Sequence, residues 1–273
     1  MCFRTLFFCF FLLYSFGMKN KHTNELAVCG FEAVKALAKI HPESIRRFYY
    51  NDERTMPFAD LFRFLASKRI PYNKVEDAEL EKLSGTVHHQ GVVAMIEQPE
   101  IPHLTTGIAE EWISRNESAL LLDRVGNANN LGAIVRSAAF FGFKNVVIPL
   151  DEAQSSVTTS SYRVAQGGME YVNVYSIRSI SKLLGAMKGK MVRFGTDVRA
   201  KTTVDKIPGL CEKKPALIVL GNEEHGISDE VRANCDYLIL IPFSDGLEEK
   251  RPIESLNVAQ AASIVLYECR KLK

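Results

Sequence analysis

Short, continuously apolar runs alternate with stretches of helical periodicity along the second half of the chain, from Ser118 onward. Runs of this kind are typical of strands that are buried on both faces of a parallel sheet. The apolar runs predict strands over 119–122, 146–148, 191–194, 217–220 and 238–241, and the periodic stretches predict helices over 131–140, 180–187, 228–234 and 258–272. The alternation predicts a doubly wound α/β fold with a parallel sheet for residues 118–273.

Residues 24–98 show a second, shorter alternation of apolar and amphipathic stretches. The clearest helix covers 58–66, where apolar residues recur at the i, i+3, i+4 and i+7 positions of one helical face. Further helices are predicted over 31–40 and 77–83, and strands over 45–50 and 91–96. The pattern indicates a small α/β domain. Residues 99–117, which begin with Pro99 and are largely polar, indicate a linker or a bridging helix around Trp112.

Residues 1–17 contain an apolar run behind Arg4 that is shorter than the roughly 20 residues of a membrane-spanning helix. Two interpretations stay open: the core of a signal peptide, or sequence upstream of a true start at Met18. We favour the start at Met18, because the sequence turns polar there and everything after it is typical of a cytosolic protein. We therefore expect a cytoplasmic protein that does not contact membranes.

Composition narrows the class of protein without identifying a ligand. The 273 residues are 47% hydrophobic and 24% charged, which is typical of a globular protein of up to two domains. A formal net charge of +2 gives no argument from bulk charge for nucleic-acid binding. The six cysteines form no CxxC pair and have no histidine at zinc spacing, so we expect no metal site. Four of them lie in or beside apolar segments and are expected to be buried thiols, namely Cys29, Cys211, Cys235 and Cys269.

Three junctions between a predicted strand and the next helix carry polar residues, and ligands of open α/β sheets bind at such junctions. The first is the Asn-rich turn before the helix over 131–140, where Asn129 or Asn130 can cap the helix. Arg136 follows among small and apolar neighbours. It is either paired in the interior, directed at an anion, or a helix arginine whose charge reaches solvent.

The second junction follows the strand over 217–220. Gly221 allows a flat ligand to approach the backbone, and Glu223 stands at the strand tip, where it can pair with an arginine or accept a hydrogen bond. Taken alone, this segment is equally an ordinary turn, and His225 is an ordinary loop residue. The third junction follows Ile241, and after a polar loop Ser255 and Asn257 precede the last helix. They can cap that helix or direct their side chains into a site.

Several common motifs are absent from the sequence. No GxGxxG follows a strand and no GxxxxGK[ST] occurs, so the usual dinucleotide and phosphate-loop signatures are missing. No GxSxG occurs either, which weakens a hydrolase interpretation.

The three segments, in this order, resemble the three motifs of the SpoU/TrmH family of RNA ribose 2′-O-methyltransferases. They are residues 130–136 (NLGAIVR), residues 220–228 (LGNEEHGIS), and Ile241-Pro242 followed by residues 254–258 (ESLNV). Residues 24–98 are similar to the small RNA-binding domain that many members carry in front. The sequence departs from the family at Ala128, where proline is usual, and in the 247–253 loop, which is longer than usual.

The resemblance implies a trefoil-knotted C-terminal domain, a homodimer, S-adenosylmethionine as cofactor, and methyl transfer to a ribose 2′-hydroxyl of tRNA or rRNA. It implies that Arg136 acts on the hydroxyl, and that Asn130, Glu223, Ser255 and Asn257 orient Arg136. It also implies a set of cofactor-binding residues, namely Gly221, Asn222, Ile241, Leu256 and Val258. A neutral Arg136 near pH 7 would cost about 7 kcal/mol, so we expect a charged side chain that stabilises the developing alkoxide.

Two other functions are compatible with parts of this pattern. The first is a non-enzymatic RNA-binding protein on the same fold, in which the long loop alters the cofactor pocket. The second is a nucleotide-dependent oxidoreductase, which the missing glycine fingerprint disfavours. The intact set of Asn130, Arg136, Glu223, Ser255 and Asn257 favours the methyltransferase.

Overall fold

A computed structural model describes residues 24–54, 56–151, 153–244 and 253–272. The apolar leader over 1–17 and residues 247–252 of the long loop lie outside the described residues. The described chain contains a four-stranded and a seven-stranded sheet. No helix within these ranges combines the length and the apolar character needed to cross a bilayer.

The four-stranded sheet occupies the front of the chain, with the strand order β1-β4-β2-β3. Its strands are β1 Glu25–Cys29, β2 Ile45–Tyr50, β3 Tyr72–Lys74 and β4 Val92–Glu97, and its helices are α1 Phe31–Ile40, α2 Ala59–Lys68 and α3 Asp77–Ser84. All of its pairs are antiparallel except β2 with β3. The predicted helices and the strands β2 and β4 are confirmed. The sequence did not predict β1, and it missed β3, a short strand whose three residues are all exposed.

Side chains of this sheet alternate between two cores, as the pleat requires. On β4, Ala94 and Ile96 pack with α1 and α2, while Val93 and Met95 pack with α3. Both faces of the front sheet are therefore covered by helices.

The seven-stranded sheet is entirely parallel, with the order β7-β6-β5-β10-β8-β11-β9. Its strands are β5 Ala119–Asp123, β6 Asn145–Pro149, β7 Asn173–Ile177, β8 Val192–Thr196, β9 Thr202–Thr203, β10 Ala216–Gly221 and β11 Tyr237–Leu240. The helices are α4 Thr106–Ser114, α5 Ala128–Phe140, α6 Thr159–Ala165, α7 Ile180–Met187, α8 Ile207–Leu210, α9 Asp229–Asn234 and α10 Val258–Cys269. The predicted α/β fold with a parallel sheet is confirmed, while the trefoil knot stays a prediction.

Helices cover both faces of this sheet. On β5, Leu120 and Leu122 pack in the core that contains α5 and α10, whereas Ala119 and Leu121 pack in the core that contains α4, α7 and α9. Every residue of β5, β6 and β10 is buried. This two-sided burial explains why the strands are continuous apolar runs in the sequence.

The sequence did not predict the elements between β6 and α7. β7 is partly exposed at the sheet edge, and α6 is a short polar helix that begins at a capping box of Thr158 and Ser161. The segment expected as a linker or bridging helix contains α4, whose Trp112 is buried against the parallel sheet. These short elements have weak periodicity, so tertiary packing decides their structure.

Residues 158–171, here called the α6 segment, pack between the two sheets. Tyr162 contacts the core of the front sheet and the core of the parallel sheet. His41, which follows α1, is 2.6 Å from Glu170 through Nδ1 and Oε2. The α6 segment is thus the place where the front of the chain is packed against the rest.

The four cysteines singled out in the sequence are free thiols. Cys29, Cys211 and Cys269 are buried, as expected, and Cys235 is half-buried. Burial raises the pKa of the Cys29 and Cys211 thiols to about 11, so both are protonated at neutral pH. They act as small apolar groups of the core.

Candidate active site

The site is built where β5 and β10, the central neighbours of the parallel sheet, end together. Their register pairs Leu122 with Leu220 and Asp123 with Gly221, so the loops that follow the two strands lie side by side. The carboxyl edge of a parallel sheet is where such folds bind ligands.

The helix after β5 begins earlier than the sequence indicated. Its N-cap is Asn127, whose Oδ1 accepts a hydrogen bond of 2.8 Å from the Asn129 amide. The prediction that Asn129 or Asn130 caps this helix is therefore wrong. Because Asn127 caps the helix, the side chain of Asn130 is available for contacts with other segments.

Asn130 joins the second and third junctions. Its Nδ2 donates a hydrogen bond of 2.6 Å to Oε1 of Glu223, and its Oδ1 accepts one of 3.1 Å from Nδ2 of Asn257. Asn257 in turn caps α10, with Oδ1 accepting from the Ala259 amide at 2.9 Å. Three residues predicted from separate segments thus form one hydrogen-bonded chain.

This chain fixes the orientation of each side chain. The carboxylate of Glu223 only accepts, so the amide nitrogen of Asn130 must face it, and the amide oxygen is left for Asn257. The bond to the carboxylate is charge-assisted, which makes it about twice as strong as a neutral one. Glu223 therefore accepts a hydrogen bond, as one of its two predicted roles required, and it forms no ion pair with an arginine among the described residues.

The turn after β10 closes on itself through Asn222. Its amide donates to the Gly226 carbonyl at 3.0 Å and its carbonyl accepts from the Gly226 amide at 2.9 Å. Its side chain donates to the Arg124 carbonyl and accepts from the amides of Glu224 and His225. Asn222 thus ties the turn to the loop after β5.

The turn that follows β10 requires a glycine at position 221. A Cβ at this position would lie 2.3 Å from the carbonyl carbon of Gly226 and from the amide nitrogen of Ile227. Glycine is required here because the backbone of its own turn fills the space of a side chain. The expectation that a flat ligand approaches the backbone of Gly221 stays a prediction.

Asp123 is a site residue that the sequence analysis missed. It is buried at the end of β5, accepts a hydrogen bond of 2.8 Å from the Ser228 amide, and pairs with Nε of Arg124 at 3.0 Å. It therefore anchors the far end of the β10 turn, where Ser228 caps α9. A carboxylate directly after an apolar strand was the signal that could have identified it.

Arg136 is exposed on α5, and its side chain has no hydrogen bond or ion pair to any other described residue. The interpretation of an interior pair is therefore wrong, while the anion-directed and the solvent-directed interpretations stay open. Its Cα is 3.1 Å from the position that a Cβ would take at Gly168, so the α6 segment lies directly against the backbone that carries this arginine.

The other predicted site residues take no part in the hydrogen bonds that join Glu223, Asn130 and Asn257. Ser255 is exposed and forms no hydrogen bond within the described part of the protein. Leu256 is also exposed, Ile241 is half-buried, and Val258 is buried in the core at the start of α10. The structure therefore brings Asn130, Glu223 and Asn257 into contact and leaves Arg136 and Ser255 outside their hydrogen bonds.

Residues around the carboxyl edge fit a nucleoside-bearing cofactor in their chemistry. Leu256, 41% exposed, and half-buried Ile241 offer apolar contact beside the polar end of Ser255. Such a combination of apolar side chains with a few hydrogen-bonding groups is typical of cofactor sites. The side chain of Asn222 is already occupied by its own turn, so any cofactor contact it makes would be through other atoms.

Two family models match this chain, and together they cover most of it. Residues 117–267 match the SpoU rRNA Methylase family. Residues 27–102 match the family described as RNA 2′-O ribose methyltransferase substrate binding. The first match contains all ten residues singled out for the site.

Individual relatives agree with these matches. The chain is 30% identical over 255 residues to the 23S rRNA (guanosine-2′-O-)-methyltransferase RlmB of Nitrosomonas europaea, covering 90% of this chain and 91% of that protein. It is 31% identical to the protein of the same name from Acinetobacter baylyi, covering 89% and 96% of the two chains. Its fold is similar to that of the SpoU methyltransferase AviRb from Streptomyces viridochromogenes in complex with AdoMet, with a TM-score of 0.70, 23% identity, and coverage of 93% and 94%. The match over more than half of the sequence, with the three junctions inside it, shows that this chain belongs to the SpoU rRNA methylase family.

Proposed function

We propose that this protein transfers a methyl group from S-adenosylmethionine to a ribose 2′-hydroxyl of RNA. The observation that carries the proposal is the hydrogen-bonded chain of Glu223, Asn130 and Asn257, which joins three separate junctions within the family match. Residues 118–273 would form the methyltransferase domain, and residues 24–98 would bind the RNA substrate.

The RNA substrate we propose is 23S rRNA, with a guanosine as the methylated nucleotide. Two relatives that align over about nine-tenths of this chain are named for that reaction. The match of residues 27–102 to a substrate-binding model supports an RNA partner independently. Free thiols such as Cys29 and Cys269 suit a reducing compartment, and we place the protein in the cytoplasm.

When bound, S-adenosylmethionine supplies the methyl group as an electrophile. We assign its contacts to Ile241, Leu256 and Val258 and to the backbone near Gly221 and Asn222. The side chains of Asn130, Glu223 and Asn257 would hold the β5 and β10 loops and the start of α10 in fixed positions around it, with Ser255 at the rim. Fixed geometry of this kind lowers the barrier by holding the reacting groups in place.

Arg136 would stabilise the charge that develops on the 2′-oxygen as its proton leaves. A guanidinium is a very weak acid and stays charged near pH 7, so it serves as a fixed positive charge. Its exposure and the lack of a partner among the described residues leave its donors free for an anionic oxygen. Water receives the hydroxyl proton as the 2′-oxygen acquires negative charge beside the guanidinium.

The active form we propose is a homodimer with its interface on α5 and α10. Large apolar side chains are exposed there, notably Phe140 at 83% and Tyr267 at 48%. Tyr267 also packs edge-on against Phe141, with ring centroids 6.3 Å apart. Monomeric proteins rarely leave such side chains together at the surface. Because α5 carries Asn130 and Arg136, this interface would lie beside the site.

The proposal is tested by methylation of 23S rRNA isolated from a strain that lacks the gene. Purified protein and labelled S-adenosylmethionine should place one ribose methyl group per rRNA, mapped by resistance of the modified linkage to alkaline cleavage. The Arg136→Ala variant should lose most of this activity. Arg178→Ala, another exposed arginine, is the matched control and should retain it.

The result also separates the enzyme from the RNA-binding alternative. If calorimetry detects no binding of S-adenosylmethionine at high micromolar concentration while the RNA still binds, the methyltransferase proposal is wrong. Methylation of tRNA but not of 23S rRNA would leave the reaction in place and refute the proposed substrate.

A further inference from the structure

Arg163 is a half-buried arginine of α6 whose side chain has no hydrogen bond or ion pair to any other described residue. Its side chain reaches the front sheet, where its Cγ is 3.9 Å from the position of a Cβ at Gly30. Its charge also acts on the neighbouring thiol, opposing the rise that burial causes in the pKa of Cys29. The donors of this guanidinium have no acceptor among the described residues, so they are available to an anionic ligand.

Further cations lie near this arginine, on α1 and in the turn that follows β2. The guanidinium of Arg54 is 4.9 Å from the centre of the Phe31 ring, and Nζ of Lys35 is 5.6 Å from the same point. Arg54 also donates to the Gln90 carbonyl at 3.2 Å, and the Gln90 side chain accepts from the Phe31 amide at 2.8 Å. These bonds hold Arg54 in place beside the Phe31 ring.

Gln90 contacts Arg54 and also lies near Arg163. Its Oε1 lies 3.6 Å from the Cβ position at Gly30, and Cγ of Arg163 lies 3.9 Å from the same position. The surface formed by these residues is called the seam surface below, and it comprises Phe31, Lys35, Arg54, Gln90 and Arg163. Lys35 is paired with Glu32 at 3.9 Å, but both side chains are more than half exposed, so that pair is weak.

The helix that carries Arg163 packs directly against α5, the helix that carries Asn130 and Arg136. A Cβ at Gly132, which lies between Asn130 and Arg136 on α5, would be 2.5 Å from the Ser161 carbonyl oxygen. The backbones of α5 and α6 are therefore in direct contact, only two residues before Arg163. A ligand held by Arg163 would be fixed relative to Arg136.

We propose that the seam surface binds the phosphate backbone of the substrate RNA, with Arg163 as the contact contributed from outside the front sheet. The inference rests on the proposed function and deepens it. The substrate-binding family match ends at residue 102, so Arg163 extends the RNA contact beyond that region. Phosphate contacts set the register of a nucleic acid without reading its sequence. Arg163 is thus a positioning residue that sets the distance between RNA on the front sheet and Arg136.

The test measures binding of transcribed 23S rRNA to the full chain across a series of salt concentrations. Arg163→Gln should weaken binding about five- to tenfold at low salt, and should reduce the slope of log affinity against log salt by about 0.7 to 0.9, as expected for one lost phosphate contact. Arg163→Lys should keep the slope, and Arg54→Gln should act like Arg163→Gln. Arg178→Gln, an exposed arginine outside the seam surface, should match the wild type.

Kinetics and cofactor binding distinguish positioning from a merely structural role. Arg163→Gln should raise the KM for RNA with little change in kcat at saturating RNA, and should leave S-adenosylmethionine affinity unchanged. Wild-type affinity and slope in Arg163→Gln would refute the proposal, as would a lower Tm that Arg163→Lys does not restore. A wild-type chain that does not bind the transcript would refute it too. Binding that depends on Arg163 without any methylation would refute the proposed function alone.

Discussion

Asn130 donates a 2.6 Å hydrogen bond to Glu223, although 93 positions separate the two residues in sequence. Parallel pairing of β5 with β10 brings them together, and the cap at Asn127 leaves the Asn130 side chain free to make the bond. This single contact links the first junction to the second, and Asn257 extends it to the third. The three junctions are therefore held together at one site by hydrogen bonds to Asn130.

Replacement of Glu223 should separate the role of this bond from that of charge alone. Glu223→Ala leaves the Asn130 amide without its acceptor, and loss of a charge-assisted bond worth about 1.5–3 kcal/mol should lower methylation about 10- to 100-fold. Glu223→Gln keeps an acceptor oxygen and should retain more activity than Glu223→Ala. The adjacent Glu224 is exposed and makes the matched control, since Glu224→Ala should be active. Equal activity of Glu223→Ala and Glu224→Ala would contradict this account.

Gly221→Ala should destabilise the protein, because a Cβ would lie 2.3 Å from the backbone of Gly226 and Ile227. Backbone atoms cannot move aside as the end of a side chain can, so we expect a loss of about 2–4 kcal/mol in the free energy of unfolding, measured with urea. Gly209→Ala is the control, because nothing lies within 4 Å of its Cβ position. A neutral Gly221→Ala would show that the turn rearranges freely.

The stability of the contact between the two sheets should depend on the protonation of Glu170. Burial raises the pKa of this carboxyl, and the hydrogen bond with His41 opposes that rise only in part. A raised pKa means that the folded state holds the proton more tightly than the unfolded state. Stability is therefore greatest below the ordinary carboxyl range and falls as the pH rises through the folded-state pKa.

Glu170→Gln imitates the protonated carboxyl and should remove this loss. The variant should be more stable than the wild type at pH 8, and the difference in the free energy of unfolding should shrink at pH 4. Oε1 of Glu170 has no hydrogen-bond partner among the described residues, so the substitution breaks no hydrogen bond or ion pair at that atom. Glu100 and Glu170 line one cavity, but Glu100 is exposed, so Glu100→Gln should behave like the wild type at both pH values. Identical pH curves for Glu170→Gln and the wild type would exclude this explanation.

Phe140→Asp should convert the proposed homodimer to monomers. The side chain is 83% exposed in the single chain, so a charge there costs nothing in the monomer but cannot be buried in an apolar interface. Light scattering after size-exclusion chromatography measures the mass directly. Met56→Asp, on an equally exposed apolar residue in the turn before α2, should leave the mass unchanged. A wild-type chain that elutes as a monomer would refute the dimer itself.

The sequence by itself determined five of the seven strands of the parallel sheet and the positions of the three junctions. Strands buried on both faces must be apolar at every position, so β5, β6 and β10 are visible as continuous apolar runs. The three motif segments could also be identified from the sequence, because the residues of each are close together along the chain. The short α6 and β7 lacked such a signal.

Only the tertiary structure decided which side chains meet. The partner of Asn130, the exposure of Arg136 and the backbone that excludes a side chain at Gly221 all depend on which strands are neighbours in the sheet. Strand order joins segments about a hundred residues apart, and no periodicity within one segment records it. The same holds for Arg163, whose position between the two sheets results from the packing of α6 against the front of the chain. Local pattern determines elements, whereas the contacts that make a site arise from long-range pairing and packing.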